Sequence, residues 1–198
     1  MGSSRATQWV FDRTSGHLAL DYANTVSGRA TTPIERLDSY DALVAFAEQT
    51  GLLSAAAARR HESSARHHPQ EAERALQEAV ELREAIYHAF KAVSEGRAPE
   101  RRDLGVLSDR HARLRLDPDL EWRAAAGPDA LDAFLAPVVR AGIDLLVSAK
   151  RTNVKACDKD TCRFLFLDTS KNHSRRWCDM KQCGNVEKAR RYVQRHRD

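Results

Sequence analysis

The chain has 198 residues, 30% of them charged and 42% hydrophobic, with a formal net charge of +4 and four cysteines. That length allows one domain or two with a reasonable core, and no run of 18 apolar residues is present to span a membrane as a helix. Ala, Leu, Glu and Arg dominate while Gly and aromatic residues are few, so the expected fold class is mainly α.

Charge is unevenly placed. Residues 151–198 hold 13 Lys and Arg against six Asp and Glu, a balance of +7, which leaves residues 1–150 near −3. Such asymmetry points to a polyanion partner for the C-terminal end, or to a solvated basic tail. Met1 to Val10 has no apolar core segment, so no secretory signal is expected. The expected compartment is the cytoplasm, where thiols stay reduced.

In chain order, Leu18, Tyr22 and Val26 fall on one helical face, with Asp21 and Asn24 beside each other. A carboxylate and an amide on an otherwise apolar element are candidates for a small-ligand pocket. They equally suit capping or tying down a loop. A helix is predicted from about Asp38 to Thr50, capped by Asp38 or Ser39 and stopped by Gly51. An Ala-rich helix follows from Ser54 to near His67, with His61, His67 and His68 read as solvated. Gln70 to Ser94 is the clearest helix, its apolar face running from Ala72 through Leu76, Ala79, Leu82, Ile86 and Phe90 to Val93. A short helix is expected over Glu100 to His111, then a weak hairpin over Ala112 to Ala126. Pro128 should open a long helix that Pro137 kinks or splits, burying Leu131 through Val147. A boundary near residue 150 divides a helical domain, 1–150, from a small hairpin-plus-helix module, 151–198, with Lys150 to Lys155 as the hinge.

All the cysteines lie in that module. Cys157/Cys162 and Cys178/Cys183 each enclose four residues, and fifteen separate the pairs. Two short loops each offering two sulfurs can close a tetrahedral zinc site with no position left for water, so the site would be structural. Two disulfides, or four unrelated thiols, are the alternatives. Arg163 to Asp168 reads as one strand and Arg175 to Cys178 as its return, with a terminal helix over Val186 to His196. Phe164, Phe166, Trp177 and Val193 are candidates for a small core. Metal would supply folding energy on the order of 10 kcal/mol. Arg175 and Arg176 at the hairpin, and Lys188, Arg190, Arg191 and Arg195 on the helix, form a candidate phosphate-binding face. The helix N-terminus at Asn185 would add backbone donors.

The run Arg176-Trp177-Cys178-Asp179-Met180-Lys181-Gln182-Cys183-Gly184-Asn185 before a basic helix resembles the CGNR zinc finger. Leu18-Ala19-Leu20-Asp21-Tyr22-Ala23-Asn24-Thr25 resembles the opening motif of the ABATE domain that usually precedes it. The resemblance implies a bacterial transcription regulator: a helical domain proposed to sense a ligand, and a finger proposed to bind DNA through a Zn2+ held by Cys157, Cys162, Cys178 and Cys183. Val186 stands where the family name has Arg. The expectation is a non-enzymatic DNA-binding regulator with a possible small-molecule effector and a possible homodimer. The alternative is a zinc-stabilised protein-interaction adaptor. A nuclease would need a second metal site, for which Asp168, His173 and His196 are the nearby candidates.

Overall fold

The computed structural model describes residues 9–196, with the Arg191 side chain excepted. Most of the segment read for a secretory signal therefore lies outside the described residues. The helical part comprises α1 (Leu18–Ala23), α2 (Tyr40–Gln49), α3 (Ala55–His67), α4 (Pro69–Ser94), α5 (Arg101–Ala112) and α6 (Ala136–Val147). Two antiparallel pairs decorate it: β1 (Val26–Ser27) with β2 (Ile34–Glu35), and β3 (Leu114–Leu116) with β4 (Trp122–Ala124). The C-terminal part carries β5 (Val154–Ala156), β6 (Leu165–Leu167), a wide helical turn (Met180–Gly184) and α7 (Asn185–Arg195). No helix among the described residues is long and apolar enough to cross a membrane.

Local chemistry sets the helix ends. The Ser39 hydroxyl accepts from Ala42 N–H and starts α2, and Ser54 does the same for α3 through Ala57. Gly51 follows α2 with φ of 78°, a conformation that costs glycine little. Helix α4 is the spine. Its Leu82, Ile86 and Phe90 are fully buried together with Leu20 and Tyr22 of α1 and Leu43 and Phe46 of α2. The Tyr22 hydroxyl donates to the Ala79 carbonyl at 2.6 Å, which satisfies a buried polar group inside that core.

Several expectations change on contact with the structure. Pro128 opens no helix. Residues 128–132 form turns, a short 310 segment covers Ala133–Leu135, and Pro137 sits in the first turn of α6. A residue without an N–H costs nothing there, since those donors have no partner inside the helix. Val147 is exposed, at the last turn of α6. His61 is buried, only 9% exposed, with its ring edge-on to Phe134 at 5.1 Å between centroids. Histidine reads as a surface residue by type, and only tertiary packing against Phe134 covers this one.

The strand pairing also differs. β6 does not pair with Arg175 to Cys178. It pairs antiparallel with β5, so Val154 faces Leu167 and Ala156 faces Leu165. The last two residues of the stretch read as a hinge, Val154 and Lys155, therefore belong to the hairpin, behind a 310 turn over Ala149–Asn153. Val154, Leu165 and Leu167 join the core of the helical part, while Phe164 and Phe166 turn to the cysteines. One short hairpin is thus shared between two cores.

Candidate metal centre and its basic flank

The β5–β6 hairpin delivers the first cysteine pair, and the loop before α7 delivers the second. Cys157, at the end of β5, donates its N–H to the Phe164 carbonyl at 2.8 Å. Asp158 N–H reaches the Arg176 carbonyl at 2.9 Å and ties the two loops together. Asp179 then starts the wide turn: its carboxylate accepts from Gln182 N–H at 2.6 Å. Its carbonyl accepts from both Cys183 and Gly184 N–H at 3.0 Å.

These turns bring the four Sγ atoms within 4.8 Å of one another. Cys178 Sγ lies 3.6 Å from both Cys162 Sγ and Cys183 Sγ, too far for a disulfide, and all four thiols are free. A tetrahedral ion with bonds of about 2.3 Å to sulfur needs its ligands about 3.8 Å apart, which this set matches. Cys157, Cys178 and Cys183 are buried, and Cys162 is half-buried.

The thiols titrate as a set. Hydrogen bonds from Cys162 and Cys178 lower Cys157. Donation to Cys157 pushes Cys162 up. Cys178 is pushed up by its bonds to Cys157 and Cys162, and Cys183 by burial. Four thiolates packed this closely coexist only around a cation, because each negative charge disfavours the next.

The apolar packing is small: Phe164 and Phe166 with the cysteines, and Trp177 against them. Val193 is not part of it and stands 48% exposed. Gly184 lets the chain pass close to Trp177. A Cβ there would meet Met180 Sδ at 2.4 Å and Trp177 Cε3 at 3.2 Å. Met180 is exposed and can swing away, so Gly184→Ala should cost only about 1 kcal/mol, read from thermal unfolding.

Asp168, one of the nuclease candidates, is fully buried and spent on structure. It accepts from Lys155 Nζ at 2.7 Å, from Ser170 N–H and hydroxyl at 3.0 and 2.6 Å, and from Arg175 N–H at 2.9 Å. Burial alone would raise its carboxyl. The bonds from Lys155, Ser170 and Arg175 outweigh that and hold it well below the usual range. A depressed carboxyl contributes stability above its unfolded value near 3.9, lost as pH falls through the folded value. Asp168→Asn should therefore cost about 2 kcal/mol at neutral pH. In melts recorded against pH, the gap to the native protein should close below about pH 4.

The basic residues divide. Arg175 turns inward, its guanidinium 4.5 Å above the Phe166 ring. It donates to the carbonyls of Trp177 at 2.8 Å, Thr14 at 3.2 Å and Cys178. Its charge serves the loop that holds the sulfurs. Arg176 pairs with Asp158 at 2.6 Å, and Arg190 with Asp160 at 3.3 Å, both half-exposed. Lys188 and Arg195 are exposed on α7, and helical spacing puts position 191 on their face. The Arg191 side chain lies outside the described residues. Val186 and Val193 occupy the opposite face, each 48% exposed.

No free helix end meets the anion expected at Asn185. Gly184 already has helical angles, φ −65° and ψ −47°, so the turn from Met180 runs straight into α7. The start lies at Asp179, and the Asp179 carboxylate fills it.

Asn24 caps α1, and its amide clasps a strand 141 residues away. Nδ2 donates to the Leu165 carbonyl at 2.8 Å, and Oδ1 accepts from Leu165 N–H at 2.9 Å. Asp21 accepts from Ser15 N–H at 3.1 Å, and burial raises its carboxyl. Both residues border a pocket of about 540 Å3 whose other wall includes Lys159, Cys162 and Cys183. What sequence reasoning missed is Arg175 as a brace and Asn24 as a strand partner. Asn24 acts across 141 residues, and Arg175 joins its own loop, at Trp177 and Cys178, to Thr14 at the far end of the chain, which no local pattern shows.

Residues 16–149 match the family model ABATE, described as "Putative stress-induced transcription regulator". Residues 153–196 match the CGNR zinc finger. No curated protein matches the chain.

Proposed function

From the premise that this chain belongs to the ABATE family and ends in a CGNR zinc finger, we propose that it is a non-catalytic transcription regulator that grips DNA through that finger. The observation that carries the reading is the cysteine tetrad beside a helix whose Lys188 and Arg195 stand exposed on one side. Zinc is the ion that suits four thiolates at this spacing. It would fix the cysteine loops against α7, and so set the direction of the basic face. Lys188, position 191 and Arg195 face phosphate, with Arg176 at the margin, while Arg190 turns to Asp160 off this face. Arg175 is left out, because its donors are taken. The helical part senses a small effector, and α6 leads through one 310 turn into the finger.

The test is a DNA titration at several salt concentrations. Each phosphate contact contributes about −0.9 to the log–log slope. Replacing Lys188 and Arg195 together by Ala should flatten that slope by about 1.8 and weaken binding at low salt. An unchanged slope sinks the proposed face. Val186→Arg, at an exposed position on the opposite face of α7, should leave the slope unchanged.

A protein-interaction adaptor is the second reading. It is favoured by Val186, Tyr192 and Val193, which leave apolar surface open on α7. Under that reading an acidic protein partner stays bound when non-specific DNA is added at moderate salt. Under the regulator reading, DNA competes.

A further inference from the structure

We propose that the helical domain holds a binding site for a small uncharged aromatic ring carrying one hydrogen-bond donor. The site is a pocket between the turn before α3, the β3–β4 hairpin and the start of α6, and it names the ligand class for the sensing role proposed above. Its volume is about 180 Å3, room for a single ring and too little for a nucleotide. Leu52, Leu53, Trp122, Phe134, Pro128 and Ala136 give it apolar walls.

The charged groups at its edge are balanced. Arg123 is held by Asp117 and Asp119, each at 2.7 Å, and Arg115 lies 3.5 Å from Asp117. The pocket therefore offers no uncompensated cation to an acid.

Its one buried polar wall is His61. The Tyr40 hydroxyl donates to the Leu131 carbonyl at 2.7 Å. That oxygen can then only accept from His61 Nδ1, 3.4 Å away, so Nδ1 carries the ring hydrogen. Nε2, across the ring, is left as an acceptor with no hydrogen bond among the described residues. Burial lowers the imidazole from its ordinary value, which keeps it neutral and accepting. An O–H or N–H on an aromatic ring satisfies that nitrogen, and the ring fills the apolar space.

The consequence reaches the finger along the chain. Ala136 and Pro137 line the pocket at the start of α6, and the far end of α6 leads through one 310 turn into β5.

Phenol and toluene are probes of one shape that differ in the donor. Both are titrated calorimetrically into the full-length, metal-loaded protein without DNA. Phenol should bind saturably, one per chain, at least about tenfold tighter than toluene. Ala133→Leu, which extends a side chain into the pocket from a half-buried position, should weaken phenol by a similar factor while unfolding stays cooperative. His61→Phe should keep toluene and erase the advantage of phenol. The proposal is overturned if phenol shows no saturation below about 10 mM. It is equally overturned if Ala133→Leu leaves phenol unchanged, or if toluene binds as tightly. Phenol binding that persists in protein unable to bind DNA supports this site and counts against the regulator reading alone.

Discussion

Stripping the metal from reduced protein with a strong chelator should melt the cysteine loops and α7 and abolish DNA binding, while the α1–α6 core stays folded. The effect is large because the finger has little else to hold it. Its own apolar contacts come from Phe164, Phe166 and Trp177 around the sulfurs. Structural zinc in finger peptides contributes about 10–16 kcal/mol, far more than three aromatic side chains supply. The loss should stop at a definite place. Leu165 and Leu167 are packed into the larger core, so β6 stays in place while the chain beyond Asp168 loosens. Hydrogen exchange locates the edge: protection should vanish at Phe164 and from Arg175 onward, and persist at Leu165 and Leu167. Elemental measurement should find one metal per chain beforehand. Protein that holds no metal after native purification, or that binds DNA as before once chelated, refutes the clamp.

Asn24→Ala should be the most damaging single change outside the cysteines. The side chain supplies both a donor and an acceptor to the backbone of Leu165, and residue 24 is 6% exposed. Alanine would leave a buried N–H and a buried carbonyl without partners, at about 1–3 kcal/mol each. The expected cost is about 4 kcal/mol, enough to erase much of the stability of a typical domain. Asn24→Asp separates the terms. It keeps the acceptor for Leu165 N–H and sets an oxygen against the Leu165 carbonyl, so it should be no milder. Denaturant melts read both variants. A loss under 1 kcal/mol would mean that the clasp between α1 and β6 contributes little.

The helices were legible because their signals are local. Serines and glycines sit at the ends, and the apolar rhythm of α4 runs unbroken from Ala72 to Phe90. The cysteine tetrad was legible for the same reason, since two pairs of equal spacing leave few uses for four thiols. The partner of β6 was not. Val154 to Ala156 is three residues long and reads as a linker, and its pairing is fixed by burial against α4 that no short window contains. Arg175 reads as a surface cation by type. Only the fold reveals that three carbonyls and an aromatic face surround it. Of the proposed phosphate-facing residues, Arg176 and Arg190 share their half-exposed positions with Asp158 and Asp160.

The shared hairpin makes transplantation awkward. A chimaera cut at residue 150 would carry Leu165 and Leu167 into a host with no recess to receive them. It would also leave behind Ser15 and Asn24, whose oxygen and amide are bonded to those leucines. Such a fusion should precipitate or borrow a neighbour's core, whatever zinc it is given. A workable exchange between relatives has to swap α1 together with the finger, as a matched set.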